Sequence, residues 1–325
     1  MTSEKLTIWC NLRLTERALA SLQVGLGAHR LVSAAELSSS LQPLGRPDAR
    51  LVEADIVFGQ PEAEQCVGSA RLLWVHLASA GYTTFASDDV RSALLARGIP
   101  LTNSSSVYDE PCAQHALAFM LAEARQLPAS FRDQSTSHSW NTSPTRAASC
   151  LLKGQTVLFV GYGAIARRLA ELLAPFGLHL IGFRRHLRGD EVMEVYSVAE
   201  LSHWLPRADW VIDILPAASD TAGFFDGAKF AAMKPGVRFM NIGRGTTVDQ
   251  SALLAALRGP LAAAYLDVTV PEPLPPEHPL WSMPNCFITP HVAGGHGDEY
   301  DRLVALFLAN LDHYQRGQPL AGRVY

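Results

Sequence analysis

Three polar side chains stand alone just past short apolar runs, and each sits in a setting that restricts its backbone. Arg244 lies between two glycines in Asn241-Ile242-Gly243-Arg244-Gly245. Glu272 is flanked by prolines in Asp267-Val268-Thr269-Val270-Pro271-Glu272-Pro273, and His291 follows Thr289-Pro290 and precedes Val292-Ala293-Gly294-Gly295. Taken singly, each has an ordinary reading: a loop arginine is usually solvated, and Pro-Glu-Pro is usually a rigid turn. All three lie beyond the carboxyl ends of predicted strands, where open α/β sheets build ligand sites. A fourth feature raises their joint weight. Val157-Leu-Phe-Val-Gly161-Tyr-Gly163 is an apolar run that breaks into glycines, and Ala164-Ile165-Ala166-Arg167-Arg168-Leu169 follows as a predicted helix. A buried strand, a Gly-x-Gly-x-x-Ala turn and a helix N-terminus make a pyrophosphate site. Gly161 allows the tight turn, Gly163 lets the backbone approach the phosphates, Ala166 lets the helix pack on the strand, and the free helix amides face the anion.

The residues at the end of the following strand bear on which dinucleotide is held. A carboxylate there binds the ribose hydroxyls, whereas arginine accommodates a 2′-phosphate. Gly182-Phe183 is followed by Arg184-Arg185-His186, and no carboxylate occurs before Asp190. Two guanidinium groups at that point pair with a phosphate dianion, so NADP(H) is favoured, with NAD(H) possible.

The elements that must position these residues follow from periodicity. Short apolar strands alternate with helical stretches throughout, which predicts parallel sheets covered on both faces. Strands are predicted at 6–9, 56–58, 72–76 and 100–102, then at 157–160, 178–183, 210–215, 238–242, 263–267 and 286–289. Pro111–Arg125 reads as a helix apolar nearly all round, running between two domains. The Ser/Thr-rich stretch 128–150 reads as an extended loop or arm; a flexible linker is the alternative, against which Phe131 and Trp140 point to packing on another surface, a second subunit among the options. Asp298–Tyr314 is a closing helix with Leu303, Leu306, Phe307 and Leu311 on one face. The 325 residues exceed one ordinary core and predict two domains. A net charge of −4 offers no basic surface for nucleic acid. No apolar run is long enough to cross a bilayer, and the N-terminus lacks the pattern of a signal peptide. The five cysteines have neither metal-ligand nor Cys-x-x-Cys spacing, so reduced thiols in a cytoplasmic protein, without a metal, are expected.

Taken together, the glycine turn, Asn-x-x-Arg-Gly-x-x-Val-Asp at 241–249, Leu-Asp-Val at 266–268, Pro-Glu-Pro and Thr-Pro-His resemble, in order, the D-isomer-specific 2-hydroxyacid dehydrogenase family, across essentially the whole chain. The resemblance implies two doubly wound parallel-sheet domains, with a Rossmann-type cofactor domain at 106–292 inserted into a flavodoxin-like substrate domain formed by 1–105 and 293–325. It implies an active site in the cleft between them, and a homodimer. By matching position, Arg244 would bind the substrate carboxylate and polarise the reacting carbonyl oxygen. His291 would protonate that oxygen during reduction or take the hydroxyl proton during oxidation. Glu272 would orient His291 and stabilise its protonated form. Asp267 matches the residue that hydrogen-bonds the nicotinamide carboxamide. The implied cofactor set is Gly161, Gly163, Ala164, Ile165, Arg184, Arg185, Asp267 and Gly294. Ala80 and Gly81, in Leu77-Ala-Ser-Ala-Gly81, match the loop whose backbone amides grip the substrate carboxylate, and Trp140 matches an aromatic that reaches a neighbouring active site in some hydroxypyruvate reductases.

Three positions depart from the family pattern. Ala164 stands where a basic residue often contacts the pyrophosphate, Gln114 where a glutamate is frequent, and His296 where a small hydroxyl residue often follows. The resulting expectation is a reductase of a small 2-oxo acid of the glyoxylate or hydroxypyruvate kind. The alternative is a non-catalytic NAD(H)-sensing corepressor of the same fold. Glu272 argues against the formate dehydrogenases of this fold, which carry glutamine there. Phosphite oxidation shares the trio, and a phosphoglycerate dehydrogenase with a regulatory domain would need a longer chain.

Overall fold

A computed structural model describes residues 5–38, 46–189 and 191–325, so Asp190 lies outside the described residues. In chain order the first elements are β1 (Thr7–Leu12), α1 (Glu16–Leu26), β2 (Arg30–Ser38), β3 (Ile56–Gly59), α2 (Ala63–Gly68), β4 (Trp74–Leu77), α3 (Asp88–Ala96) and β5 (Leu101–Thr102). Three helices follow: α4 (Ser105–Ala124), α5 (Leu127–Ser135) and α6 (Thr142–Ala148). Then come β6 (Thr156–Val160), α7 (Ala164–Leu173), β7 (His179–Arg184), β8 (Glu194–Ser197), α8 (Leu201–Trp204), β9 (Trp210–Asp213), α9 (Gly227–Ala232), β10 (Val237–Asn241), α10 (Gln250–Leu257), β11 (Leu261–Leu266), β12 (Cys286–Ile288) and α11 (Glu299–Gln315). They form two compact units, 1–108 with 295–325, and 109–294.

The first unit carries a five-stranded parallel sheet in the order β2-β1-β3-β4-β5, the flavodoxin-like order. Its core is aromatic: Phe307 of α11 stacks on Phe58 at 4.3 Å and on Trp74 at 5.4 Å. Burying such a ring contributes about 1.5–3 kcal/mol, which is why α11 returns to this sheet although it is last in the chain. The second unit carries seven parallel strands in the order β12-β11-β10-β9-β6-β7-β8. The order reverses between β6 and β9, and that switch point is where a doubly wound sheet opens a crevice for a ligand.

Where the observed elements differ from the sequence expectation, the physics is local. The edge strands β2 and β8 were not foreseen, because an edge lacks the continuous apolar run of a doubly covered strand. β9 ends at Asp213 rather than Leu215, since the Asp213 carboxyl accepts the Leu215 N–H at 3.0 Å and turns the chain out of the sheet. α4 starts at Ser105 with Pro111 inside it, and the boundary between the units falls within this helix, after Tyr108. The stretch expected as an extended arm is instead two short helices, α5 and α6, with Phe131 and Trp140 exposed, Trp140 at 93%.

Candidate active site

The glycine turn closes β6. Gly161 adopts φ +105°, and a Cβ there would lie 2.7 Å from the carbonyl oxygen of Ile214, so only glycine fits. The amides of Gly161 and Tyr162 donate to the Phe183 carbonyl at 3.0 and 2.8 Å, which binds the turn to the end of β7. Gly163 is the N-cap of α7 and has open space where a side chain would stand. No side chain caps the first amides of α7, where Ala164 and Ile165 lie, while Ala166 is fully buried against the sheet. A cradle of this shape fits a dinucleotide pyrophosphate.

At the end of β7 the two arginines have acidic partners further along the chain, past Asp190. Arg184 pairs with Glu191 at 3.0 Å, with both side chains about 12% exposed, and Glu191 also accepts the amides of Arg188 and Gly189. The hydrogen bonds from the Arg188 amide, the Gly189 amide and the Arg184 guanidinium outweigh the opposing effect of burial and hold the Glu191 carboxyl below its usual range. Arg185 pairs with the exposed Asp220. The expectation of two arginines with no nearby carboxylate is therefore corrected: a phosphate would compete with, or share, these partners.

Arg244 follows β10. Asn241 shapes its loop, accepting the Gly243 N–H at 2.9 Å and donating to the Arg244 carbonyl at 3.0 Å. The Arg244 guanidinium donates to the Gly243 carbonyl at 2.6 Å. Burial pushes its pKa down, with Glu272 and the Cys112 sulfur opposing that shift. Gly245 is buried against the next loop so closely that a Cβ would overlap the Thr269 carbonyl and lie 2.7 Å from its Cα.

Glu272 stands between two cis X-Pro bonds, Val270-Pro271 and Glu272-Pro273. One carboxylate oxygen accepts the Thr269 N–H at 3.0 Å, and the other faces His291 Nδ1 at 2.8 Å. Burial pushes the Glu272 carboxyl up, but the hydrogen bonds from His291 and Thr269 and the nearby charges outweigh it, and the net shift is downward. His291 sits at φ +53°, held by donation of its N–H to the Asp267 carbonyl at 2.8 Å. With Nδ1–H given to Glu272, Nε2 is the nitrogen left for proton exchange.

Asp267 is almost fully buried, and its carboxylate is engaged from two sides. Oδ1 accepts Thr289 Oγ1 at 2.6 Å and the Val292 N–H at 2.9 Å, while Oδ2 accepts the Ala293 N–H at 2.9 Å. It therefore braces the His291 loop, whose Gly294 follows directly. His115 of α4 extends this network to Thr289 Oγ1 at 3.2 Å, and burial lowers its pKa against the pull of Asp267.

In the other unit, the loop after β4 has its carbonyls occupied: Asn103 donates to Ala80 O at 2.7 Å and Ser79 to Gly81 O at 2.6 Å. The Ala80 and Gly81 amides donate to no acceptor among the described residues, which suits capture of an anion. Among the described residues no cluster of His, Cys, Asp or Glu could hold a metal ion, and no helix is long and apolar enough to cross a membrane. Sequence reasoning missed Glu191, Asp220 and a buried pair, Asp213 with Thr247. Asp213 did carry a signal, as a lone acid inside the apolar run Trp210-Val-Ile-Asp-Ile-Leu215.

Comparison with known proteins agrees with this geometry. A model described as the D-isomer specific 2-hydroxyacid dehydrogenase NAD binding domain matches residues 117–293. The glyoxylate reductase/hydroxypyruvate reductase of Mus musculus is 31% identical over 254 residues, covering 77% of this chain and 76% of its own length. The solved structure of a D-isomer specific 2-hydroxyacid dehydrogenase family protein from Aeromonas salmonicida matches with a TM-score of 0.76 at 29% identity, covering 99% of each chain. That of an NADPH-dependent glyoxylate/hydroxypyruvate reductase from Sinorhizobium meliloti, in complex with NADP and sulfate, matches with a TM-score of 0.77 at 25% identity, covering 98% of each chain.

Proposed function

This chain belongs to the D-isomer specific 2-hydroxyacid dehydrogenase family, NAD(P)-dependent oxidoreductases of small 2-hydroxy and 2-oxo acids, and from that premise we propose that it reduces a small 2-oxo acid of the glyoxylate or hydroxypyruvate kind with NADPH. The observation that carries the reading is the Glu272–His291 hydrogen bond at 2.8 Å, made at Nδ1 so that Nε2 remains for the substrate. When bound, the nicotinamide supplies the hydride. Arg244 binds the substrate carboxylate and polarises the carbonyl, a role suited to a guanidinium whose loop is fixed by Asn241. His291 delivers the proton to the forming alkoxide, and Glu272 holds the ring and stabilises its charged form. Ala80 and Gly81 are kept as substrate-binding positions, because their amides donate to no acceptor among the described residues. Gly161, Gly163, Ala164 and Ile165 cradle the pyrophosphate, and Asp267 and Gly294 bound the nicotinamide end through the His291 loop.

The preference for NADP(H) over NAD(H) rests on Arg184 and Arg185 at the end of β7, and their carboxylate partners make it a matter of degree. The family neighbour from Sinorhizobium meliloti, which is NADPH-dependent, supports it. Five unpaired cysteines support a reducing, cytoplasmic setting, and the exposed Trp140 supports a homodimer. Steady-state assays with a panel of 2-oxo acids and both reduced cofactors test the reading. Turnover of glyoxylate or hydroxypyruvate is expected. Tight cofactor binding without turnover of any acid would overturn it in favour of a sensing role, and an unchanged cofactor preference in Arg184→Asp would overturn the assignment of that arginine.

A further inference from the structure

Asp213 closes β9 at the point where the strand order of the sheet reverses, and it is fully buried. One carboxyl oxygen accepts the Leu215 N–H at 3.0 Å. The other lies 2.5 Å from Thr247 Oγ1, and the same hydroxyl lies 2.6 Å from the main-chain carbonyl oxygen of Arg244. A threonine hydroxyl has one proton, and a carbonyl can only accept. Two close oxygens on either side of Thr247 therefore need two protons between them. The count closes when the Thr247 O–H goes to the Arg244 carbonyl and the Asp213 carboxyl, as a neutral acid, supplies the second proton to Thr247. The Asn241 side chain completes the set with its own bond to that carbonyl at 3.0 Å.

We propose that Asp213 is a positioning residue that works as a neutral acid, fixing the main chain of Arg244 through Thr247 and releasing it when it ionises. Burial supports the same protonation state, pushing this carboxyl up to about 7 against the opposing hydrogen bonds from Thr247 and Leu215. The neighbouring titratable groups have other engagements. Arg244 directs its guanidinium at Gly243 O, and Asp249 caps α10. Arg238 on β10 pairs with Glu123, and Asp209 before β9 pairs with Lys234. Asp220 pairs with Arg185, Arg167 of α7 lies over the Tyr162 ring, and Arg168 pairs with Glu110 and Glu171. β6 presents no titratable side chain at all. Among the described residues, the Asp213 carboxyl makes hydrogen bonds only to Thr247 and Leu215.

Ionised Asp213 accepts the Thr247 O–H hydrogen bond for itself, which leaves the Thr247 oxygen facing the Arg244 carbonyl with no proton between them and the Asn241 amide as that carbonyl's remaining side-chain donor. The loop then relaxes, and the guanidinium loses its register for a carboxylate. The functional consequence rests on the role proposed for Arg244, whereas the protonation state does not, so two measurements separate them. Carbon-13 NMR of aspartate-labelled protein, with Asp213→Asn for assignment, reads the titration directly; a midpoint near neutrality is expected, and one near the ordinary aspartate range overturns the proposal. The second measurement is kcat/KM with glyoxylate and NADPH against pH, taken as the ratio of wild type to Asp213→Asn, in which pH effects common to both proteins cancel. Asparagine presents an N–H to Thr247 and an oxygen to Leu215 at every pH. The ratio should fall about 30-fold between about pH 6 and about pH 8.5, the loss set by one proton with a midpoint near neutrality. A flat ratio overturns the positioning role. Absence of turnover by the wild type, with the NMR midpoint near neutrality, would instead count against the reaction assigned to Arg244.

Discussion

Gly245→Ala is the sharpest test of how the two loops carrying Arg244 and Glu272 depend on each other. The added methyl would overlap the Thr269 carbonyl and stand 2.7 Å from its Cα, a contact with backbone that no rotamer change relieves. Restoring ordinary carbon contacts requires a displacement of about 1 Å. That displacement goes into one of two places. Thr269 donates its N–H to Glu272 at 3.0 Å and its hydroxyl to Pro271 O at 3.0 Å, so moving it drags the glutamate. Moving the other side instead carries Arg244, the adjacent residue. A misplacement of about 1 Å at a reacting centre costs about 100-fold, equivalent to about 2.7 kcal/mol in kcat/KM. Overpacking should also lower folding stability by about 1–3 kcal/mol. The assay is steady-state reduction of glyoxylate with NADPH, beside urea denaturation and cofactor titration by fluorescence. Cofactor Kd should stay within about threefold of wild type, because the glycine turn lies on other strands. A folded variant whose kcat/KM is within threefold of wild type would refute the reasoning.

Three other expectations follow from particular contacts. Gly163→Ala meets open space and should leave stability unchanged while weakening dinucleotide binding. Gly161→Ala, which combines φ +105° with a methyl 2.7 Å from Ile214 O, should lose about 2–4 kcal/mol in urea denaturation. Equal stability of the two variants would contradict the geometry of the turn. Glu272→Gln keeps an acceptor for His291 but removes the charge, so kcat should fall about 100-fold with KM little changed. The lowered pKa of Glu272 means that its contribution to stability is present above the unfolded value and lost as pH falls through the folded one. The difference in denaturation midpoint between wild type and Glu272→Gln should accordingly shrink below about pH 4, and a difference that grows there would be inconsistent with that sign. Burial pushes the thiols of Cys10, Cys112 and Cys286 up to about 12 and that of Cys66 higher still. A chromogenic disulfide should therefore label Cys150 alone in the native protein and all five cysteines after denaturation; rapid labelling of a second thiol would show that the cores open.

Much of this protein was legible in its sequence because the signals are local. Gly161 marks the turn through a backbone conformation, φ +105°, that glycine adopts freely, and Gly163 through the open space it leaves beside the helix N-terminus, while the apolar run from Val157 to Val160 and the mostly apolar stretch from Phe239 to Ile242 announce doubly covered strands. Arg244, Glu272 and His291 were legible because each follows such a run and is held by glycines or prolines, so chain neighbours alone dictate much of its setting. The order of β6, β9 and β10 in the sheet was not written in any one segment. It is decided by which apolar faces bury each other, and that packing is what brings Asp213 within hydrogen-bond distance of Thr247, which lies together with the Arg244 carbonyl in a separate stretch of chain. The same holds for Glu191 and Asp220, whose carboxylates reach Arg184 and Arg185 only once β7 and its following turns are folded. Hydrogen-bond partners and pKa shifts depend on distances of a few ångströms between residues far apart in sequence. Residue types and their neighbours in the chain were enough to point to Arg244, Glu272 and His291, whereas the hydrogen bonds that hold and brace them, with Asn241, Thr269 and Asp267, came only with the folded loops and the packing of their strands.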